Sequence, residues 1–474
     1  MATKEIRSPA FVRPTARIQR AAVPRTNVLV ALLPVLLLFY AAMLPAEVRL
    51  VIAGQSLYAP RLVGFAVLPI VLYRMLRDPI RWSFWDGIYV FGGFWMIIAF
   101  MANYGPGEGI RRGFALAFDT LIPFLAARLC IRSLDDLRRF LIFAAPGLAL
   151  VAGSLIAEVL AGRLLVKPFF ASFFGSLASY EEGVAVGTKG FGTETRLGII
   201  RAPGPFAHPI LAGAFLATLV PLYFYAGIRR WPKFVGLFAG ACSVLSVSST
   251  AIVALLVGIG VIIADFIQRM VSFLTWKIII PAVAMLAVLL HLGTENGLVA
   301  YLTQFTLNPQ TARYRRRIWE YGMQSVENNP WFGIGFKTYE RIDWMVVDSV
   351  DAHWLMLAIR FGFIPSIAIL AVALAAMIFV GSAAGRARNK TDRNAYVAVI
   401  ACTLTMLMAG MSVAFFGGVE TWFYMIIGIG MSLGMAAKGE RLPVLRPGDV
   451  IRPSTERTAP RIGRTLPRVD QRRR

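Results

Sequence analysis

The chain has 474 residues, of which 57% are hydrophobic and only 16% are charged, and its mean hydropathy is +0.64. This composition excludes an ordinary soluble domain and indicates an integral membrane protein. The formal net charge of +23 lies almost wholly in loops and tails. It therefore predicts membrane topology and contact with anionic lipid rather than a nucleic-acid partner.

The apolar runs predict an all-α, polytopic bundle of about twelve spans, because each run approaches the roughly 20 residues that a spanning helix needs. The runs lie near 27–46, 57–75, 85–103, 113–131, 139–161, 206–227, 232–248, 250–268, 276–293, 360–384, 395–416 and 419–437. The split between the seventh and eighth spans falls at a polar break, residues 246–250.

Basic clusters occur in every second connection and in both tails, a pattern that predicts cytoplasmic termini. The membrane domain is then 27–438, between disordered tails at 1–26 and 439–474. Two long loops, about 162–205 and 294–350, are predicted on the extracytoplasmic face, the second directly before the tenth span. We expect the chemistry to lie on that face.

The motifs of nucleotide-driven pumps and zinc proteases do not occur in the sequence: there is no Walker loop, no dinucleotide glycine fingerprint and no His/Cys metal cluster. The sequence predicts neither a metal nor a cofactor. Two intramembrane acids, Glu158 in the fifth span and Asp265 in the eighth, have no assigned role at this level.

Residues 201–209, Arg-Ala-Pro-Gly-Pro-Phe-Ala-His-Pro, directly precede the apolar run that starts at Ile210. A fixed cation at the mouth of a membrane helix is costly and usually has a task, such as binding an anion. Gly204 between two prolines favours a loop of defined shape over a frayed helix end. Arg201 is therefore a candidate anion ligand, with a snorkelling interface residue as the alternative.

Two further polar segments follow in the second long loop. The segment 311–319, Thr-Ala-Arg-Tyr-Arg-Arg-Arg-Ile-Trp, is followed by Asn329-Pro-Trp-Phe-Gly-Ile-Gly335. The segment Asp351-Ala-His353-Trp leads to Gly362. Most of the arginines between 313 and 317 are predicted to form a solvated face.

In this order the segments resemble the O-antigen ligase and Wzy-type polymerase superfamily of bacterial inner-membrane glycosyltransferases, and the chain looks closest to members that polymerise exopolysaccharide. The resemblance covers roughly residues 200–380. It implies a glycan donor on undecaprenyl diphosphate, a polysaccharide acceptor, and metal-independent transfer outside the inner membrane. Chain-length regulator or export proteins are implied as further partners.

The resemblance also implies residue roles. Arg201 and Arg315 match the two arginine positions of the family and would clamp the diphosphate, since a guanidinium is permanently charged and binds phosphate oxygens bidentately. Arg313 takes the place of Arg315 if the register slips. Further substrate-binding candidates in the first segment are Arg196, Gly204 and His208, the last at a place held by His or Asn.

The general base is left open between two residues. The family has a histidine eleven residues before the glycine that matches Gly362, and that position is Asp351 here, while His353 lies two positions further on. Either side chain is a plausible base for the acceptor hydroxyl.

The sequence thus predicts a polymerase for lipid-linked repeat units. A ligase that transfers a finished glycan to lipid A core is the sister interpretation, because it uses the same donor. A lipid-linked sugar flippase is the alternative from another class, which the clustering of candidates at one face disfavours.

Overall fold

The computed structural model describes residues 28–52, 55–78, 80–177, 192–271, 273–293, 309–342, 345 and 349–439. The predicted tails lie outside these ranges, apart from Gly439. Parts of both predicted long loops, 178–191, 294–308, 343–344 and 346–348, also lie outside them.

Helices make up most of the described chain, which confirms the all-α class. Their bounds are α1 Val28–Ala42, α2 Ala59–Arg77, α3 Phe84–Cys130, α4 Leu134–Ala161, α5 Val166–Phe174, α6 Pro209–Ala217, α7 Leu219–Tyr225, α8 Trp231–Ala241, α9 Ser249–Met270, α10 Trp276–Leu292, α11 Pro309–Asn328, α12 His353–Phe361, α13 Phe363–Arg386, α14 Lys390–Ala409 and α15 Gly418–Gly439. Two small antiparallel hairpins pair β1 Arg49–Ile52 with β2 Gln55–Tyr58 and β3 Thr195–Arg196 with β4 Ile199–Ile200.

Six of the described helices are long and apolar enough to cross a membrane, namely α2, α3, α4, α9, α13 and α15. Shorter apolar helices are α1, the consecutive pair α6 and α7, and α10 up to Leu290. The protein is therefore a multi-pass membrane protein by length and composition of its helices. The count of twelve spans stays a prediction.

Helix α3 contains two of the predicted spans, 85–103 and 113–131. A straight helix of its 47 residues would be about 70 Å long, more than twice the thickness of a bilayer core. It instead folds back at Gly105, whose φ is +76°. Arg128 near its end donates to Asp86 near its start, with 3.1 Å between Nε and Oδ1. The two arms therefore run antiparallel.

Ion pairs join the basic connections that the sequence assigns to one face. Arg138 at the start of α4 pairs with Asp392 at the start of α14, 2.5 Å apart. Arg393 pairs with the fully buried Asp265 near the end of α9, with 3.0 Å between Nη2 and Oδ1, and Arg269 also pairs with Asp265. These connections meet at one end of the bundle, as the alternation of basic loops predicts. That this end is cytoplasmic remains a prediction.

Two breaks in the helices position the polar residues at the other end. Helix α8 continues into a 3₁₀ turn, Cys242–Ser246, and the chain turns at Val247 before α9 begins, so the polar break interrupts the apolar run. Gly362, with φ +79°, ends α12 and begins α13. The apolar helix predicted at 360–384 therefore starts at Phe363.

Candidate functional site

The segment 201–209 is a loop that buried charges hold through its backbone. Glu158 in α4 accepts a hydrogen bond from the Gly204 N–H at 2.8 Å, and Lys167 in α5 donates to the Ala207 carbonyl at 2.9 Å. Gly204 has φ +55°, a left-handed conformation that favours glycine, and it lies against Leu155. The prediction of a loop with a defined shape agrees with this geometry.

Arg201 is placed by the β3–β4 hairpin, because its N–H donates to the Glu194 carbonyl at 2.9 Å. Its side chain is only 7% exposed, with Nη1 2.5 Å from the Glu194 carboxylate and Nε 3.3 Å from the Ser246 carbonyl. The third nitrogen, Nη2, is buried and finds no hydrogen-bond partner in the described part of the chain. A buried donor of this kind is costly, so it points to an anionic ligand.

Arg315 is the buried member of its cluster. It is 6% exposed, whereas Arg313, Arg316 and Arg317 are exposed on the same helix, α11. Its Nε is buried and, within the described ranges, also has no hydrogen-bond partner. The structure therefore places Arg315, and not Arg313, where a buried ligand could be bound.

These arginines share one electrostatic environment although they are far apart in sequence. Burial lowers the pKa of Arg201, and the charges of Arg196 and Arg315 lower it further, while Glu194 raises it. Arg196 itself donates to the Val247 carbonyl at 3.2 Å. Neighbouring cations repel one another and lower one another's pKa, and together they create a positive potential that a bound anion would reduce.

Asp351 belongs to the same cluster. Burial raises the pKa of its carboxyl group, whereas the charge of Arg315 and a hydrogen bond from Ser349 lower it. A carboxylate whose pKa is raised by burial is better suited to accept a proton than an exposed one.

His353 lies in different surroundings. Its side chain is fully buried, with its ring centroid 4.7 Å from that of Phe415, and its Nδ1 accepts from the Phe415 N–H at 3.4 Å. Burial, together with the charge of Arg360, lowers its pKa to about 3. Its Nε2 has no partner among the residues that the structure describes. The imidazole is therefore neutral and packed among aromatic rings.

His208 caps the start of α6. Its Nδ1 accepts from the Ile210 N–H at 3.2 Å, and its Nε2 lies 3.9 Å from Glu194. A cap of this kind satisfies one of the free N–H groups at a helix start. The geometry agrees with the hydrogen-bonding role that the resemblance implies.

The Asn-Pro-x-x-Gly-x-Gly turn, residues 329–335, is joined by backbone hydrogen bonds to the end of α12. Its Ile334 and Gly335 N–H groups donate to the carbonyls of Ile359 and Arg360 at the end of α12, at 2.8 and 3.2 Å. The Phe363 N–H donates back to the Pro330 carbonyl at 2.9 Å. This turn therefore fixes the end of the helix that follows Asp351.

Sequence reasoning missed three residues of this site. Glu158 was visible only as an acid inside an apolar span, and Lys167 and Glu194 lay in the first long loop without a motif around them. The intramembrane position of Glu158 was the one available signal, since acids there are rarely without a partner.

The fold and these residues define a polytopic helical membrane protein with a buried arginine and carboxylate cluster at one end of its bundle. The family model described as O-Antigen ligase matches residues 234–364, and this confirms the resemblance over that segment. The match includes Arg315 and Asp351, whereas Arg201 and His208 precede it. No curated protein matches the chain. The match supports a membrane enzyme of the ligase or polymerase type and does not distinguish the two.

Proposed function

We propose that this protein is a bacterial inner-membrane polysaccharide polymerase, which joins undecaprenyl-diphosphate-linked oligosaccharide units on the periplasmic face. The observation that carries the proposal is the pair of buried arginines, Arg201 and Arg315, each with a guanidinium nitrogen that lacks a partner among the described residues. Two such groups in one field suit a diphosphate, which offers several oxygens to charge-assisted donors.

The proposed transfer is a single displacement at the anomeric carbon. The acceptor oxygen forms a bond to that carbon, and the bond from the carbon to the diphosphate oxygen breaks with its electron pair. Arg201 and Arg315 stabilise the charge that develops on the leaving diphosphate. Asp351 takes the proton of the acceptor hydroxyl, and one displacement inverts the configuration.

Asp351 is preferred to His353 as the base because of its surroundings. It interacts with Arg315, whereas His353 packs on Phe415 and its pKa of about 3 makes it a poor proton acceptor near neutral pH. The other candidates at this end of the bundle are Arg196, Gly204 and His208, which we assign to substrate binding. Arg313 lies on the exposed side of α11.

A ligase is the second candidate, because the matching family model carries that description. Purified protein in lipid nanodiscs with a defined undecaprenyl-diphosphate oligosaccharide separates the two. A ladder of products supports the polymerase. A single transfer to added lipid A core supports the ligase, and movement of the lipid across the bilayer without transfer would support a flippase.

The proposed binding of the diphosphate by Arg201 and Arg315 can be tested with two variants of the same helix, α11. We expect Arg315→Gln to lower the transfer rate by about 10²–10³-fold, the usual loss when one preorganised donor is removed. Arg316→Gln, the exposed neighbour, should leave transfer within about twofold, since it removes the same charge at an exposed position. Equal losses in both variants would contradict the clamp.

A further inference from the structure

A cavity of about 320 Å³ opens beside the arginine cluster, between the starts of α2 and α15, the second arm of α3, and α12. Its volume lies within the range of small-molecule sites. The described residues that line it do not include Arg201, Arg315 or Asp351. Its lining is therefore distinct from the side chains of the proposed diphosphate site.

The cavity nevertheless adjoins that cluster through two shared elements. One part of its wall is Pro205–Ala207, the end of the same loop that begins at Arg201. Another part is Met356, Leu357 and Arg360 of α12, the helix that follows Asp351. A ligand in the cavity would thus lie beside a ligand held by the arginines.

Carboxylates pair with two of the three arginines that line this cavity. Nε of Arg61 donates to both carboxylate oxygens of Asp119, at 3.0 and 3.1 Å, and Arg112 forms an ion pair with Glu108. The Glu420 carboxyl group lines the cavity and accepts from the Tyr424 hydroxyl at 3.2 Å. These carboxylates lower the net positive charge that the cavity presents to an anion.

The same lining suits hydroxyl groups. A sugar hydroxyl donates one hydrogen bond and accepts others, so it can bind carboxyl oxygens and guanidinium N–H groups together. The half-buried side chains of Tyr58 and Phe416 are also part of the wall, and they give the apolar face of a sugar ring a surface to pack on.

We infer that this cavity binds the acceptor saccharide, as an uncharged, hydroxyl-rich ligand, with Glu420 as an acceptor of its hydrogen bonds. The inference rests on the proposed function, because glycosyl transfer needs donor and acceptor side by side. The arginine cluster takes the diphosphate of the donor, and the adjoining cavity takes the sugar whose hydroxyl attacks.

The test measures binding without requiring transfer. The probe is a water-soluble oligosaccharide of the repeat unit, without lipid or diphosphate, and it is titrated onto the full chain in nanodiscs. We expect Glu420→Gln to weaken this binding at least tenfold and to change the affinity for undecaprenyl diphosphate less than twofold. Arg315→Gln should give the opposite pattern, and Glu320→Gln, at an exposed carboxylate outside the cavity, should change neither.

A second variant covers the case in which Glu420→Gln fails to fold. Leu116 is a half-buried residue of the cavity wall, and Leu116→Trp places a larger side chain in the cavity. This variant should weaken oligosaccharide binding to the same extent as Glu420→Gln. Unchanged oligosaccharide binding in the folded variants, or no binding to the wild type, overturns the inference. Selective loss in Glu420→Gln, combined with a wild type that makes no product, supports the saccharide site and refutes the proposed transfer.

Discussion

The buried carboxylate of Glu158 should control the shape of the loop that carries Arg201. Its two oxygens accept three backbone N–H groups, those of Leu165, Val166 and Gly204, at 3.0, 3.2 and 2.8 Å. Glu158→Gln keeps one acceptor oxygen and turns the other into a donor. At least one of these N–H groups then loses its acceptor.

The expected cost follows from the type of bond lost. A hydrogen bond to a charged group contributes about 1.5–3 kcal/mol, which corresponds to about a ten- to hundredfold change in an equilibrium. We expect local opening of the segment 201–209 to increase by that factor in Glu158→Gln. Hydrogen exchange of a peptide that covers this segment, read by mass spectrometry, measures it directly.

A matched control and a transfer assay complete the test. Glu320→Gln removes an exposed carboxylate that pairs with Arg317, and it should leave hydrogen exchange of the segment 201–209 unchanged. Transfer should fall in Glu158→Gln because Arg201 loses its fixed position. Unchanged exchange in Glu158→Gln, with the protein folded, would refute the assignment of Glu158 as the loop anchor.

Three further outcomes are expected. Burial raises the pKa of Asp351, and a base must be deprotonated to act, so the transfer rate should fall as pH drops through a value above the ordinary aspartate range. Arg315→Gln removes a charge that lowers this pKa, so the acid limb of the residual activity should move to higher pH. A pH–rate profile whose acid limb does not move would contradict the assignment of Asp351 as the base. Gly362→Ala should lower the thermal midpoint of the solubilised protein, since φ is +79° and the new Cβ would lie 2.5 Å from the Pro330 carbonyl oxygen. Asp265→Asn should destabilise the protein by about 1.5–3 kcal/mol, because Arg269 and Arg393 lose the charged acceptor that they share. Denaturant unfolding that matches the wild type would show that these ion pairs do not contribute to stability.

The parts of the fold that the sequence predicts depend on local patterns. Apolar runs of spanning length indicate helices, and the two arms of α3 appear as separate runs because the glycine-rich turn at Gly105 interrupts them. The position of Arg315, four residues before Trp319, likewise singled it out among five neighbouring residues, and it is the buried one. The helix predictions needed only spacing along the chain, whereas the choice of Arg315 also needed the resemblance to the family.

Long-range contacts could not be read in the same way. Glu158 and Gly204 are 46 residues apart, and Lys167 and Ala207 are 40 apart, with no repeat or motif to link them. The choice between Asp351 and His353 was open because the family's histidine position is Asp351 in this chain and a histidine lies two residues further on. The structure begins α12 at His353, so Asp351 lies before the helix, where the charge of Arg315 lowers the pKa of its carboxyl group, while the His353 side chain is fully buried.

The site separates the groups that hold its backbone from the groups that would bind a ligand. Glu158 and Lys167 form hydrogen bonds with the backbone of the segment 201–209, at Gly204 and Ala207, which fixes Arg201 without neutralising it. In the described part of the chain, Arg201 forms an ion pair with Glu194, whose side chain is 58% exposed, so solvent weakens that pair. A diphosphate carries more charge than one carboxylate and offers acceptors to Nη2 of Arg201 and Nε of Arg315 together. Buried groups therefore hold the loop that carries Arg201, and its ion pair with an exposed carboxylate is weak. This arrangement leaves Arg201 and Arg315 close together and available to an anion.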